Sequence, residues 1–449
     1  MIPGTATPRS GAPSRNVAQP PLRPGRPMST PEPLSLPAAS RERIEVLDAL
    51  RGFAILGILV MNLYSFTGWM YVPAGQKAVM VGVLDRAALQ FGEVLVRGKF
   101  YTIFALLFGI GFAIQRQRGR VDATFLPMYR RRLGVLLAIG LVHLVLLWRG
   151  DILALYALCG FLLIPFRNCR DRTLVAWAVV CLLVPVAIYA AMAASGGRFD
   201  PGAPLAGARD FVEGRLFPAG VDNMAVLSGG SWGDVLRWNL AGAFDRCADL
   251  FREGRLFKVE AVFLLGLWVG RRLKATRSAA QDMLLQRVLI AGLAIGVPGN
   301  FVLAQIAGSD ADGVPTPIGV MEALVSAVAV VPMGLAYAAG FTLLRWRAGW
   351  GRVLHYLAPA GRMALSNYLG QTLIGLSFYG IGFGVVGRIG PGLSAVIALA
   401  IFAAQVVVST MWLRYFQFGP VEWGWRSLTY QRRIPMRVRS GGGAAAGGV

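Results

Sequence analysis

One histidine stands inside a long run of apolar residues. The stretch from Leu133 to Trp148 reads LGVLLAIGLVHLVLLW, and Arg149-Gly150-Asp151 ends it. An imidazole facing hydrocarbon is costly. An ionisable group at membrane depth therefore faces protein or water, and it marks a functional site by default. Imidazole is also the side chain best matched to proton transfer near neutral pH. His143 is the first candidate for chemistry, with a plain interhelical hydrogen bond as the competing reading. The other histidine, His355, sits in a basic connection and reads as interfacial.

Other chemistries fall away. No GxxxxGK[ST] phosphate loop and no HExxH pair occurs, and two distant histidines cannot build a zinc site. Gly229-Gly230-Ser231-Trp232-Gly233 matches the nucleophile-elbow spacing, but no convincing strand precedes it, so it reads as a turn. Gly382, Gly384 and Gly387 match a dinucleotide fingerprint, yet they follow an apolar helix rather than a strand. Cys159, Cys169, Cys181 and Cys247 form no CxxC pair and suggest neither a disulfide framework nor a metal site. No tightly bound cofactor or metal is expected.

The elements that must position His143 are membrane helices. The chain is 55% hydrophobic and only 15% charged, with a mean hydropathy of +0.55. A soluble domain carries about 25% charge. The apolar runs are continuous rather than alternating, so helices rather than a barrel are expected. The fold class is all-α, a polytopic bundle of about ten spans near 50–67, 99–115, 133–148, 152–166, 173–194, 257–270, 288–307, 317–344, 362–381 and 393–413. Residues 1–43, with ten prolines among the first 40, read as a disordered basic tail, and 434–449 as a disordered Gly/Ala-rich tail. The membrane domain is 44–433.

Net charge is +22, but the arginines cluster between spans and accompany no nucleic-acid motif. They read as orientation signals. Loop 116–132 has six arginines, 167–172 three, 271–287 five basic residues, 345–362 four and 414–439 six. Loop 308–316 has Asp310 and Asp312 without a base, and the long loop 195–256 balances seven arginines against eight acids. The positive-inside rule then predicts both termini in the cytoplasm and 195–256 outside. Segment 78–97 mixes apolar and charged residues and reads as an amphipathic interfacial helix or a re-entrant piece. The pairs Gly266/Gly270, Gly292/Gly296 and Gly380/Gly384 have the spacing of close helix packing.

With that topology, His143 lies about 15 Å into the membrane. Asn62, Asp151, Glu260 and Glu322 fall in the outer half or at its boundary. Asp48, Arg51, Arg362, Ser366 and Asn367 fall at cytoplasmic ends, with Glu422 and Arg426 just beyond the last span. Plainer readings accompany these. Asp48 and Arg51 have the spacing of a helix-start pair, Glu422 and Arg426 that of a surface pair, and Asp151 could cap the fourth helix. Two polar zones suit a reaction drawing one substrate from each side, or a transporter with two gates.

The chain also carries a specific set of motifs. Leu47-Asp48-Ala49-Leu50-Arg51-Gly52-Phe53 with Asn62 resembles the opening of the YeiB-like bacterial membrane proteins, a domain of unknown function, family 418. Gly98-Lys99-Phe100 through Phe108-Gly109-Ile110-Gly111-Phe112, Arg131-Arg132-Leu133 through His143, and Gly150-Asp151-Ile152-Leu153 with Tyr156-Ala157 resemble the next spans. Gly361-Arg362-Met363-Ala364-Leu365-Ser366-Asn367-Tyr368 and Phe418-Gly419-Pro420-Val421-Glu422-Trp423 with Arg426-Ser427-Leu428-Thr429-Tyr430 resemble the C-terminal signature, with Ser366 where Thr is expected. The resemblance covers about 44–433.

That family is more distantly similar to transmembrane acyltransferases, which use an intramembrane histidine to move an acyl group from cytoplasmic acyl-CoA. The resemblance implies a bacterial inner-membrane protein with His143 as the acyl-transfer histidine and Asp151 orienting the outer part of the site. It implies Arg51 and Arg362 as partners for the phosphates of acyl-CoA, a co-substrate. Asn62, Glu260, Glu322 and Asn367 are the substrate-binding candidates, and the acceptor is an envelope glycan or lipid. The alternatives are a proton-coupled transporter or lipid/glycan translocator, with His143, Glu260 and Glu322 as coupling groups, and a non-catalytic component that binds partners through 195–256.

Overall fold

A computed structural model describes residues 38–118, 122–217, 222–273, 278–306, 315–347 and 349–438. Residues from Ala39 onward belong to one unit. The architecture is helical, with only an isolated antiparallel bridge between Phe416 and Arg437 among the described residues.

The long helices are α1 (Ala38–Phe66), α2 (Lys99–Arg118), α3 (Asp122–Val142), α4 (Leu153–Leu163), α5 (Asp171–Ala194), α6 (Trp232–Arg252), α7 (Arg255–Arg272), α8 (Ala279–Ile306), α9 (Pro317–Arg345), α10 (Ala364–Leu376), α11 (Pro391–Tyr415) and α12 (Pro420–Tyr430). Six stretches are long and apolar enough to cross a membrane: Glu45–Phe66, Val83–Gln117, Asp171–Ala194, Ala279–Ile306, Pro317–Arg345 and Pro391–Tyr415. The other four expected spans are shorter or more charged. α4 has 11 residues and α10 has 13, so at about 1.5 Å per residue neither matches a ~30 Å hydrocarbon core. Both bury most of their residues against neighbouring helices, with Leu158, Leu162, Leu373 and Ile374 left facing outward. By contrast α5, α8 and α11 present Trp177, Val179, Ile290, Phe301, Val407 and Met411 outward, as bilayer-facing helices must.

Both tail boundaries shift. Residues 38–43, expected in the N-terminal tail, are the first turns of α1, because the Ala-Ala-Ser-Arg-Glu-Arg run contains no helix breaker and extends the apolar helix behind it. Residues 434–438, expected in the C-terminal tail, lie back on the end of α11. The Gln417 amide donates to the Met436 carbonyl (2.8 Å), and the Trp423 indole donates to the Ile434 carbonyl (2.7 Å). Residues 1–37 and 439–449, like Asp310 and Asp312, lie outside the described residues.

Segment 78–97 contains the helix Val83–Phe91 and a π-helical turn, Gly92–Val96. Asp85 fastens it to the start of α11 by accepting the Gly392 amide at 2.9 Å. Two of the three glycine pairs do pack helices. A side chain at Gly266 would strike the Leu106 carbonyl of α2, and one at Gly292 would strike the Pro332 carbonyl of α9. The third pair does not: Gly380 and Gly384 lie in a turn, where Gly384 has φ +62° and the Gly380 amide donates to the Leu227 carbonyl at 2.7 Å.

The 195–256 segment is not a loose loop. It contains Ala203–Leu216, Asn223–Gly229 and α6, and Ser231 caps α6 through reciprocal hydrogen bonds with Asp234. That cap accounts for the G-x-S-x-G spacing without any nucleophile.

Candidate functional site

His143 opens a π-helical turn, His143–Leu147, that ends α3, and the Trp148 amide closes it by donating to the His143 carbonyl at 2.8 Å. Such widened turns recur at functional sites because they re-aim one side chain. The exit from this turn is held by the 195–256 segment. Fully buried Asn239 of α6 donates to the Leu147 carbonyl (2.9 Å) and accepts the Arg149 amide (3.2 Å). Arg149 itself lies over the Trp238 ring, 4.7 Å from its centroid.

The imidazole is 1% exposed and both nitrogens are engaged. Nδ1 lies 2.8 Å from Asp151 Oδ1, and Nε2 lies 2.9 Å from Thr372 Oγ1 on α10. An ionised carboxylate only accepts, so Nδ1–H donates to Asp151. In the neutral ring Nε2 is then the acceptor for the Thr372 hydroxyl. The other Asp151 oxygen accepts the Ala154 amide at 2.7 Å, and Arg246 of α6 donates to the Asp151 carbonyl at 3.3 Å. Asp151 thus holds both an amide in the first turn of α4 and the imidazole ring. Thr372 Oγ1 has a second acceptor, the Tyr368 carbonyl, at 3.4 Å. If Nε2 takes a proton, the hydroxyl can turn to that carbonyl and accept from the ring. Trp148 and Tyr368 wall the ring, with centroids at 6.3 and 5.2 Å.

Beside this group, at the end of the bundle bearing 195–256, lies a cavity of about 340 Å³. Its wall includes Ile152, the residue after Asp151, and Tyr101, whose hydroxyl donates to Asn62 Oδ1 at 2.9 Å. Charged residues ring it: Glu93, Arg97, Arg246, Glu253, Lys258 and Glu322. Burial pushes the Glu253 carboxyl above its usual range, with nearby Asp249 adding to the shift.

The structure therefore joins His143 with Asp151 and places Glu322 in the wall of the neighbouring cavity, with Asn62 behind that wall as the partner of Tyr101. Glu260 joins neither group. It is 5% exposed and neither carboxyl oxygen has a partner among the described residues. Asn367 holds helices together, donating to the Ala360 carbonyl and to Ser409, each at 3.0 Å.

At the other end of the bundle, Arg51 pairs with Asp48 at 2.6 Å as its spacing suggests, while exposed Arg362 donates to the Gln417 carbonyl at 3.2 Å. Asp48 lies in the field of Arg51, Arg362 and Arg426 together. Glu422 does not pair with Arg426. It reaches back to accept the amides of Leu365 (2.7 Å) and Ser366 (3.0 Å), capping the helix that carries Thr372, and Arg426 lies over Phe418 instead.

Thr372, Tyr368 and Arg246 were not singled out in the sequence. The available signal was the presence of polar Asn367, Gln371 and Thr372 in an otherwise apolar helix. Fully buried Lys99, which donates to the Glu93 carbonyl at 2.9 Å, carried no such signal.

The profile for "Protein of unknown function (DUF418)" matches residues 269–432. The chain is 29% identical over 425 residues to "Uncharacterized protein YxaH" of Bacillus subtilis (strain 168), covering 90% of this chain and 98% of that one. It is 31% identical over 412 residues to "Uncharacterized 39.9 kDa protein in amylase 3'region" of Bacillus acidopullulyticus, with the same 90% and 98% coverage. With "Uncharacterized protein YeiB" of Escherichia coli (strain K12) it shares 30% identity over 418 residues, 88% of this chain and 98% of that one. No solved structure matches the fold. Sequence identity of this extent across nearly the whole length leaves one conclusion: the chain belongs to the YeiB-like DUF418 family of helical membrane proteins.

Proposed function

We propose that this protein transfers an acyl group across a bacterial inner membrane, from cytoplasmic acyl-CoA to a hydroxyl or amine of an envelope glycan or lipid. The observation that carries this reading is the buried Thr372–His143–Asp151 chain. A hydroxyl, an imidazole and a carboxylate in line form the arrangement that activates a nucleophile and then returns the proton. In this scheme Thr372 marks the place of the acceptor hydroxyl. His143 Nε2 takes the acceptor's proton as its oxygen attacks the thioester carbonyl. The C–O bond forms, the C–S bond breaks, and the proton passes from the imidazolium to the departing thiolate. Asp151 keeps Nδ1–H in place and stabilises the charged ring.

The same reading includes about ten spans with both termini cytoplasmic, four of them falling on α3, α4, α7 and α10, of which α4 and α10 are short. It also includes Arg51 and Arg362 as contacts for the phosphates of the donor. The test is purified full-length protein assayed for release of free thiol from acetyl- and longer acyl-CoA. His143→Ala should lower turnover by roughly 10²–10⁴-fold, and unchanged turnover in a folded variant would sink the proposal.

The orphan carboxyl of Glu260 favours a second reading, proton-coupled transport. Substrate flux into vesicles that collapses with the proton gradient and with Glu260→Gln, without any acyl-CoA, would select it.

A further inference from the structure

The cavity beside Asp151 has a charged mouth and an apolar interior, and α7 and α9 contribute to both. Four cations line it, Arg97, Arg246, Arg255 and Lys258, against three carboxylates, Glu93, Glu253 and Glu322. Two of those carboxylates are spent on close pairs, Glu93 with Arg97 at 2.9 Å and Glu253 with Arg255 at 2.6 Å. Arg246 and Lys258 have no such close pair, although Arg246 lies in the field of Asp249 and Glu253. Lys258 lies in the field of Glu253 and Glu322, yet forms no ion pair with either. Arg246 donates one guanidinium hydrogen to the Asp151 carbonyl, while its buried Nε–H has no acceptor among the described residues. A buried donor without an acceptor costs about 1–3 kcal/mol, so the arrangement asks for an anion.

The interior is formed by Ala105, Leu155, Val262 and Val331, with Leu182 of α5 and Leu303 of α8 at its side. Those two helices present most of their surface outward, with only 22% and 17% of their apolar windows buried in the protein. The cavity therefore has its apolar side toward the bilayer and its charge toward the 195–256 end. At about 340 Å³ it falls in the ~300–1,000 Å³ range of small-ligand sites. A free anion would leave the apolar walls unfilled. A neutral lipid would leave Arg246 Nε and Lys258 without a partner.

We propose that this cavity binds a bilayer phospholipid, its phosphate held by Arg246 and Lys258 and the upper part of one acyl chain entering past Leu182 and Leu303. The assignment goes beyond acyl transfer and does not depend on it. If both hold, the lipid's headgroup is delivered to the wall that Ile152 and Asp151 share.

Thermal unfolding of the full chain in a nonionic detergent tests this, because a ligand selective for the native state raises the transition temperature. Dioleoylphosphatidylglycerol should raise it, whereas inorganic phosphate or dioleoylglycerol at equal concentration should not. Arg246→Gln and Lys258→Gln should each shift the half-effective lipid concentration upward by about tenfold, the loss of one charge-assisted contact. An equal response in wild type and both variants, or an equal response to inorganic phosphate, overturns the proposal.

Should the variants not fold, phosphatidylglycerol bearing a photoreactive group in mid-chain serves on the wild-type protein. Labelling of the segments holding Leu155, Val262 and Val331 supports the site, and labelling only of outward positions such as Val179 and Phe301 refutes it. His143→Ala separates the two readings, since it should abolish acyl transfer and leave lipid binding unchanged.

Discussion

The two ends of this bundle handle charge in opposite ways. At the end bearing 195–256, His143, Asp151 and Thr372 are each almost fully buried with His143 bonded to the other two, and side chains of Asn239 and Arg246 donate to backbone carbonyls around them. At the opposite end, arginines outnumber acids and settle on ring faces: Arg132 lies 4.0 Å from the Trp425 ring centroid and Arg426 4.6 Å from that of Phe418. A buried polar group must have its partners supplied by the fold, because the loss of one is not made good by water. These half-buried guanidinium groups rest on aromatic rings, and that contact offsets part of the hydration they lose. The buried end suits proton transfer in a fixed geometry, and the cationic end suits docking of an anionic donor.

The comparison can be broken most sharply at Asp151. Asp151→Asn keeps the shape but removes the charge that balances an imidazolium. It should cost turnover by a factor on the order of 10²–10⁴ while the protein stays folded. A drop below tenfold in the thiol-release assay would mean that His143 does no proton transfer.

Thr372→Val is the next largest effect, and it separates roles. It leaves Nε2 buried without a partner, at about 1–3 kcal/mol of stability, seen as a lower unfolding temperature. Turnover should survive, because the hydroxyl stands where the acceptor would sit. Complete loss would make Thr372 itself the nucleophile.

Glu422→Ala strips the amides of Leu365 and Ser366 of their acceptor and should cost about 0.5–2 kcal/mol, the range for a helix cap. The effect should reach the His143 end through α10, as a small rise in hydrogen exchange around Thr372. Arg362→Ala, on the exposed side, should leave stability within about 0.5 kcal/mol and raise only the KM for acyl-CoA. A changed kcat with an unchanged KM would remove Arg362 from the donor site.

The smallest effect belongs to Asp200 in the 195–256 segment. Burial raises its pKa, but hydrogen bonds from Arg252 and the Gly202 amide outweigh this and hold the carboxyl below its usual value. A depressed folded-state pKa contributes stability that is present above the unfolded value, near 3.9, and is lost as pH falls through the folded value. The pair is largely solvated, so the contribution is about 0.2–1 kcal/mol. Unfolding temperatures measured between pH 5 and pH 3 should fall less in Asp200→Asn than in wild type, and identical slopes would place Asp200 outside the acid response.

Much of the molecule was legible along the chain. The apolar runs marked the long helices, because lipid demands continuous hydrocarbon and leaves a periodic trace. His143 was visible by its oddity, and Asp151 by its position after a short turn. Gly266 and Gly292 signalled close packing by spacing alone. The lengths of α4 and α10 were not legible, since a helix that packs most of its residues against protein is freed from the ~30 Å rule that lipid imposes. The 195–256 segment read as a balanced, featureless loop. Its Asn239 gains meaning only from the two backbone groups of the π-helical turn that it meets, about 90 residues away in the chain.

What the sequence by itself determined, then, is the membrane setting, the family and the candidacy of His143, because hydropathy and composition are local properties that survive without a fold. Only the tertiary structure decided that Thr372, 229 residues distant, completes the imidazole's hydrogen bonds, that Glu260 has no hydrogen-bond partner among the described residues and that Arg246 turns toward a cavity. Hydrogen bonds and cavities depend on which helix faces are brought together, and that is settled by packing across the whole bundle rather than by any one segment.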